Sequence, residues 1–533
     1  MKPYFLFIAA ISATALGQHR PDSAMQQTLT IEREFAPIVQ KAVKIDRQPA
    51  PQEVQASRSE ASFADWEADA VRTPDIGVVP AGQIIARPSA DSLGYLRLSA
   101  GNYWNTDLAA GFHRGDFRID TKGFFTEGDL KLPMSDELGQ RPEWRSMLLT
   151  GGFDAAYSHT LSNEAQLTIN AVADGMVVNL FPYEYNPVSL SIERTDDHLR
   201  TQHGGMAGAS IAYETDRLLL RAGYAHDGFT SPYNVIQPFE YAHPLDLRTN
   251  TIDGMIRYGW YETSSLWQAS IDLPVSGIFA NKKQFFTIRP VLHLSFLPAD
   301  GQWKRWYADL ACGTRRDAPY SVMQRLPLVL TYGEPSLTTD IFDLTIGYED
   351  NEQGYLRWGG SVRLRNTEDE LCAVAYSYRG TQLKLGQENC TYISADLHVD
   401  YEYSRYFGIK ANALWQHHSC DATGLGDPEL TAAIHLLSHP GKVTLDLGYD
   451  CALGRHFQLF NPQYDILVDP YYEMPSNHTL KNIQDLNFRI DWQFRPSFSL
   501  FAFGRNLLNQ KYELWPNIPA QRINLHAGFS WKF

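Results

Sequence analysis

The last thirteen residues, Gln521–Phe533, restrict the fold of this chain more than any other stretch. Ile523, Leu525, Ala527, Phe529, Trp531 and Phe533 fill every second position, with Arg522, Asn524, His526, Gly528, Ser530 and Lys532 between them. Side chains of a strand point alternately to its two faces, so this segment is a strand with one greasy face and one wet face. Asn487–Arg495 has the same pattern: Phe488, Ile490, Trp492 and Phe494 alternate with Asn487, Arg489, Asp491, Gln493 and Arg495. Related runs recur from Gly94 to the end of the chain. One such strand suits a soluble sandwich, whereas a long succession of them suits a sheet with lipid on one side and water on the other.

The links between the runs come in two sizes. Arg114-Gly115, Leu161-Ser162-Asn163, Ser404-Arg405, Pro440-Gly441 and Arg495-Pro496-Ser497 are very short. Residues 125–146, 176–204, 228–251, 451–484 and 507–520 are long and polar. Short and long links mostly alternate, which is the topology of a membrane barrel with tight periplasmic turns and long outer loops. The expected fold is all-β: a transmembrane antiparallel β-barrel over residues 94–533 with about 16–22 strands, given the error of such boundaries. The stretch from Tyr320 to Tyr332 has no clear pattern, and an even strand total requires a strand there. The mean hydropathy of −0.32 agrees with a barrel, because only alternate residues meet lipid. A net charge of −15 gives no general attraction for phosphates, so nucleic acid is not an expected partner.

The N-terminal part has a different texture. Lys2, the apolar stretch Tyr4–Ala15 and the small residues of Ala15-Leu16-Gly17 read as a secretory signal over residues 1–17, with cleavage before Gln18. The apolar stretch is too short to span a bilayer. Residues 18–93 contain seven prolines and only three aromatics, Phe35, Phe63 and Trp66. That composition predicts an extended or partly disordered periplasmic segment, with Thr28–Asp46 its most structured piece.

Side chains with possible chemistry are scattered. Asp450–Lys481 reads as a long outer loop in which Tyr464, Asp465, Asp469, Tyr471, Tyr472 and Glu473 place aromatics beside carboxylates. Such a set can stack on a sugar or hold a peptide, or it can pack on the barrel's own rim. His417-His418-Ser419-Cys420-Asp421 offers imidazole and thiolate to a transition metal, or is a solvated loop start. The five cysteines have neither the spacing of a zinc site nor that of a disulfide framework. Cys372 and Cys390 are a pair that neighbouring strands could bridge, the alternative being unpaired residues. No G-x-S-x-G, H-E-x-x-H or phosphate-loop pattern is present, so neither an enzyme nor a cofactor is expected.

The stretch FAFGRNLLNQKYELWPNIPAQRINLHAGFSWKF resembles the C-terminal end of TonB-dependent receptor barrels. Its carriers are an aromatic strand, the run Arg505-Asn506-Leu507-Leu508-Asn509-Gln510-Lys511-Tyr512, a loop with Pro516 and Pro519, and a closing strand. The terminal aromatics Phe529, Trp531 and Phe533 resemble the insertion signal that the barrel-assembly machinery recognises. The resemblance implies an outer-membrane location, contact with outer-membrane lipid, and passage or binding of a solute at the cell surface. The chain departs from that family before residue 94, where 76 proline-rich residues replace a plug of well over about 100 residues. Gln27–Glu34 is faintly similar to the short box such receptors offer to TonB. A barrel that scaffolds a periplasmic or surface partner protein and an outer-membrane enzyme stay open as alternatives. A channel predicts a continuous water path, a scaffold a co-purifying partner and a blocked lumen, and an enzyme converging polar groups at the outer rim.

Overall fold

The computed structural model describes residues 93–533 apart from 132–142, 163, 180–182, 187–190, 195–200, 232–244, 261–266, 281–282, 298–303, 326–336, 351–354, 378–380, 405, 421–427, 466–468 and 516–517. The proposed signal peptide and the proline-rich segment lie outside the described residues.

From Gly94 onward the alternating runs form strands. The first seven are β1 (Gly94–Gly101), β2 (Thr106–Arg114), β3 (Phe117–Lys131), β4 (Glu143–Thr160), β5 (Gln166–Asn179), β6 (Gln202–Glu214) and β7 (Leu218–Ser231). Next come β8 (Leu245–Trp260), β9 (Trp267–Ala280), β10 (Lys283–Ile288 continued by Val291–Phe296), β11 (Lys304–Arg315) and, after the short helix α1 (Pro319–Arg325), β12 (Thr338–Asp350). The wall is completed by β13 (Leu356–Ser377), β14 (Thr381–Ser404), β15 (Phe407–His418), β16 (Pro428–Ser438) and β17 (Val443–Asp465). Last are β18 (Asp469–Thr479 continued by Ile483–Arg495), β19 (Phe498–Arg505) and β20 (Asn524–Lys532). Both pieces of β10 pair with β9, on either side of Arg289-Pro290, where proline has no N–H to give the ladder. Both pieces of β18 pair with β17. Every strand pairs antiparallel with its neighbour, and β20 pairs with β1 from Tyr95↔Lys532 to Gly101↔His526, so the twenty staves close without an edge.

The turns at the end where β1 begins are mostly short. Gly115 and Gly441 take φ of 58° and 68° there, values that suit a residue without a Cβ. This is the periplasmic end, and the longer links mark the outer one. The described β12 and β11 are joined through α1, so the even total is reached without the strand that Tyr320–Tyr332 was expected to supply. The expected outer loop over 451–484 is mostly a hairpin, because β17 and β18 stay paired from His456↔Thr479 to Asp465↔Asp469. Near its tip β17 also pairs in parallel with β13, Ala375↔Leu459 and Tyr376↔Phe460, so these two long hairpins meet.

The outer surface carries a belt of exposed apolar residues on almost every stave, among them Phe153, Ile211, Ile252, Ile346, Leu397 and Leu525. Water would not tolerate so much contiguous apolar area, whereas lipid does. Among the described residues no helix is long and apolar enough to cross a membrane. The register inferred from alternation holds on β18, where Ile490 is 41% exposed and the Arg489 side chain, facing the lumen, is 19% exposed. Ile490→Arg is therefore expected to destabilise the barrel by about 2–4 kcal/mol at mid-bilayer, and Arg489→Ala to be tolerated. Unfolding of both variants in lipid vesicles checks this, and equal stability would refute the assignment of faces.

The structure corrects the cysteine pairing. Cys390 is bonded to Cys420, with Cα atoms 5.1 Å apart. Cys372 and Cys390 do lie on paired strands, but Cys372 stands opposite Gly386 and Cys390 opposite Thr367, too far apart along the ladder to meet. Cys420 follows β15 closely enough to return to β14, held by the Ser419 N–H donating to the Thr391 carbonyl at 3.0 Å.

Candidate functional site

The lumen wall is lined by ion pairs. On β10 to β13 four arginines meet three inward carboxylates, with Asp317 of the link after β11 as a fourth. Arg289 donates to Asp340 at 2.5 Å and to Asp343 at 2.8 Å. Arg363 grips Asp343 with two bonds of 2.8 and 2.7 Å. Arg365 bridges Asp340 at 2.8 Å and Glu370 at 3.0 Å. Arg315 grips Glu370 at 2.7 and 2.6 Å and meets Asp317 at 3.4 Å. Asp340 is completely buried, so each charge in the cluster depends on its partners.

Strand irregularities bring these groups together. Residues three apart on a regular strand face opposite sides. β12 shifts register between Asp340 and Phe342, so Asp340 and Asp343 both turn inward while Ile341 faces out. β13 shifts between Thr367 and Glu370, with Asp369 at φ 55°, and this returns Glu370 to the lumen. On β11 Arg315 follows Ala311 and Gly313 on the inward face by regular alternation, opposite the extra residue of β12.

Lower-charge networks line other parts of the wall. Arg257 grips Asp272 with two bonds of 2.7 Å, and His293 lies between Asp272 at 3.4 Å and Asp309 at 2.7 Å. Both ring nitrogens of His293 face carboxylates, which leaves no nitrogen to activate a nucleophile. His435 lies between Asp446 at 2.9 Å and Asp450 at 3.4 Å in the same manner.

One sector of the lumen is apolar. Antiparallel register places Met176, Gly204, Phe229 and Leu247 side by side across β5, β6, β7 and β8, all facing inward. Val178, Ile278 and Ala280 are buried on the same face near the outer ends of β5 and β9. The helix α1 covers this sector. It belongs to the link between β11 and β12 yet packs on β6, β7 and β8. Tyr320 and Met323 of α1 are 2% and 1% exposed, and Val322 is buried beside them. A Cβ at Gly204 would lie 2.6 Å from Met323 Sδ and 3.3 Å from Tyr320 Cδ2, so the helix occupies the gap that the glycine leaves. Burial pushes the Tyr320 hydroxyl up to about 12, with Asp174 adding to the rise. The approach to α1 is anchored by Arg315 on Glu370 and by Arg316, whose guanidinium stacks over the Phe285 ring at 4.5 Å.

The motif Arg505–Tyr512 ties the last long link to the wall. Asn506, at φ 49°, accepts from the Gln510 N–H at 2.8 Å and donates to the Gln510 and Gln521 carbonyls at 3.0 and 3.1 Å. Tyr512 is buried with Ala452, Ile483 and Ala520, and burial raises its pKa. Arg455 donates to the Glu513 carbonyl at 2.7 Å. Phe529, Trp531 and Phe533 share the lipid face of β20 and its end, with the Trp531 and Phe533 rings 5.0 Å apart. Tyr464, Asp465, Asp469, Tyr471, Tyr472 and Glu473 fall on the outer hairpin of β17 and β18, and their side chains lie outside the description. His417 and His418 end β15, and the Cys420 sulfur expected beside them as a metal ligand is taken by Cys390. The sequence reading missed the arginine–carboxylate cluster and the α1 seat.

No protein-family model matches the chain, and no curated protein does. Solved structures do. An enterobactin-bound variant of the ferric enterobactin receptor PfeA of Pseudomonas aeruginosa matches over 84% of this chain and 82% of its own, with a TM-score of 0.55 at 10% identity. The pyoverdine outer membrane receptor FpvA of Pseudomonas aeruginosa PAO1 matches over 84% and 79%, with a TM-score of 0.54 at 11% identity. The FrpB iron transporter of Neisseria meningitidis matches over 83% and 81%, with a TM-score of 0.52 at 11% identity. At such identity the likeness shows the fold, which is that of TonB-dependent receptor barrels. A closed barrel of this fold, with an apolar belt and a polar lumen, belongs in the bacterial outer membrane.

Proposed function

We propose that the barrel passes or binds a solute at the cell surface, with the lumen as its path. The observation that carries this reading is the wall itself: inward positions of β10 to β18 hold arginines, carboxylates and histidines in networks that a wet interior requires. The proteins it resembles in fold include an iron transporter, a pyoverdine receptor and a ferric enterobactin receptor, which supports the same class. The outer hairpin bearing Tyr464, Asp465, Asp469, Tyr471, Tyr472 and Glu473 is the proposed first contact for a solute. No catalytic role is proposed for the ion-paired luminal histidines.

Residues 18–93 are proposed to lie mainly in the periplasm, with the barrel starting near Gly94. A chain beginning shortly before Gly94 behind a signal peptide is expected to insert, to resist heat unfolding in SDS, and to conduct ions in planar bilayers much as the full chain does. A large rise in conductance on truncation would instead make the segment a plug, and loss of folding would overturn the domain division. A second reading, a barrel that scaffolds a partner protein, draws on α1 lying inside the lumen. It predicts a co-purifying partner and no conductance in either form.

A further inference from the structure

We infer that α1 is the element that narrows the passage, and that Gly204 is the position that holds it there. The inference rests on the proposed reading of the lumen as a solute path. Much of the wall is lined by charged and polar groups, but the row Met176–Gly204–Phe229–Leu247 is apolar apart from its glycine. An apolar row facing water would cost free energy for every exposed methylene. These side chains are buried, and the helix that packs on their strands arrives from the link after β11, three staves beyond β8.

The row is shaped for that helix. Glycine between Met176 and Phe229 leaves a notch, and Met323 and Tyr320 fill it. The Tyr320 N–H also faces Asp227 on β7 at 3.4 Å. At its other end the segment is anchored through Arg315 to the charged cluster on β12 and β13. The chain thus leaves the wall at β11, runs along the interior and settles on β6 to β8. A helix is about 10 Å across with its side chains, so this placement takes that width from the bore. Met323 and Tyr320 leaving the notch would return that area to the passage.

The test uses two variants of the full chain. Gly204→Phe puts a ring where Met323 and Tyr320 lie and should expel α1; its Cβ also presses on the Gly228 carbonyl oxygen at 3.0 Å, so heat resistance in SDS is read alongside to show that the wall stays closed. Gly204→Cys combined with Met323→Cys places two thiols within reach of each other. In planar bilayers, Gly204→Phe should raise single-channel conductance above that of the parent, as expected for removing an obstacle of helical width. The double-cysteine protein should form a disulfide between β6 and α1 when oxidised, conduct as the parent does, and show no rise above the single-cysteine controls. A water-soluble maleimide should label Met323→Cys slowly alone and much faster when Gly204→Phe is added. If the crosslink fails to form in the heat-resistant barrel, or if Gly204→Phe leaves both labelling and conductance unchanged, the inference is overturned. If crosslinking and labelling behave as stated but neither parent nor variant conducts, α1 is seated as described and it is the solute-path reading that fails.

Discussion

Arg315→Ala is expected to destabilise the barrel by about 3–5 kcal/mol, the usual cost of stripping one partner from a buried ion pair. Glu370 would lose both of its bonds to Arg315 and keep Arg365 at 3.0 Å. Asp340, fully buried, would lose the third of its arginines, 3.7 Å away. The control is Arg248→Ala: Arg248 and Asp246 are 67% and 47% exposed at the outer rim, and such a pair contributes about 0–1 kcal/mol. Denaturant unfolding in lipid vesicles should separate the two variants clearly. Adding Glu370→Gln to Arg315→Ala should recover part of the loss, because it removes the carboxylate left uncompensated. Equal stability of Arg315→Ala and Arg248→Ala would show that the cluster is solvated and contributes little.

Phe533→Ala is expected to lower the amount of protein in the outer membrane severalfold while leaving the purified barrel nearly as stable as before. Two terms can be told apart here. The seam depends on backbone bonds, Gly94 N–H to the Phe533 carbonyl at 2.9 Å and Phe533 N–H to the Gly94 carbonyl at 3.0 Å, which survive the substitution. The ring itself is half exposed to lipid, and even full burial of a Phe is worth only about 1.5–3 kcal/mol. A large fall in membrane level together with normal refolding would therefore point to recognition of Phe529, Trp531 and Phe533 during assembly. Unchanged membrane levels would remove that role.

Alternation carried the reading of the barrel because its period is a direct readout of which face meets lipid. It located Leu525, Trp531 and Ile490 on the outside, and His526 and Arg489 within. It failed wherever the period was interrupted. Asp340 and Asp343 are three residues apart and look like charges on opposite faces, and only the irregularity between them makes them neighbours. α1 was unreadable for another reason. Seven residues with Tyr320, Val322 and Met323 show too short a pattern to declare a helix, and their apolar partners lie on strands about a hundred residues earlier. Gly204 was the available signal, since a glycine within a strand marks a close approach, but the sequence cannot say of what. The Cys390–Cys420 bond escaped because the pairing depends on how soon the chain after β15 turns back to β14.

That bond also bears on the order in which the molecule is made. It joins Cys390, within β14, to the chain just beyond the outer end of β15, and the short link after Ser404 joins the two strands at the periplasmic end. Once oxidised, residues 390–420 are a covalent ring with the hairpin inside it. Thiols pair in the periplasm and not in the cytoplasm, so the ring can close only after export. If it closes before insertion, the bilayer receives β14 and β15 as one doubled strand, sulfur end first, and they cannot be threaded singly. A nick in the link after Ser404 would then leave both halves in the wall, because the two strands would still be joined through Cys390 and Cys420.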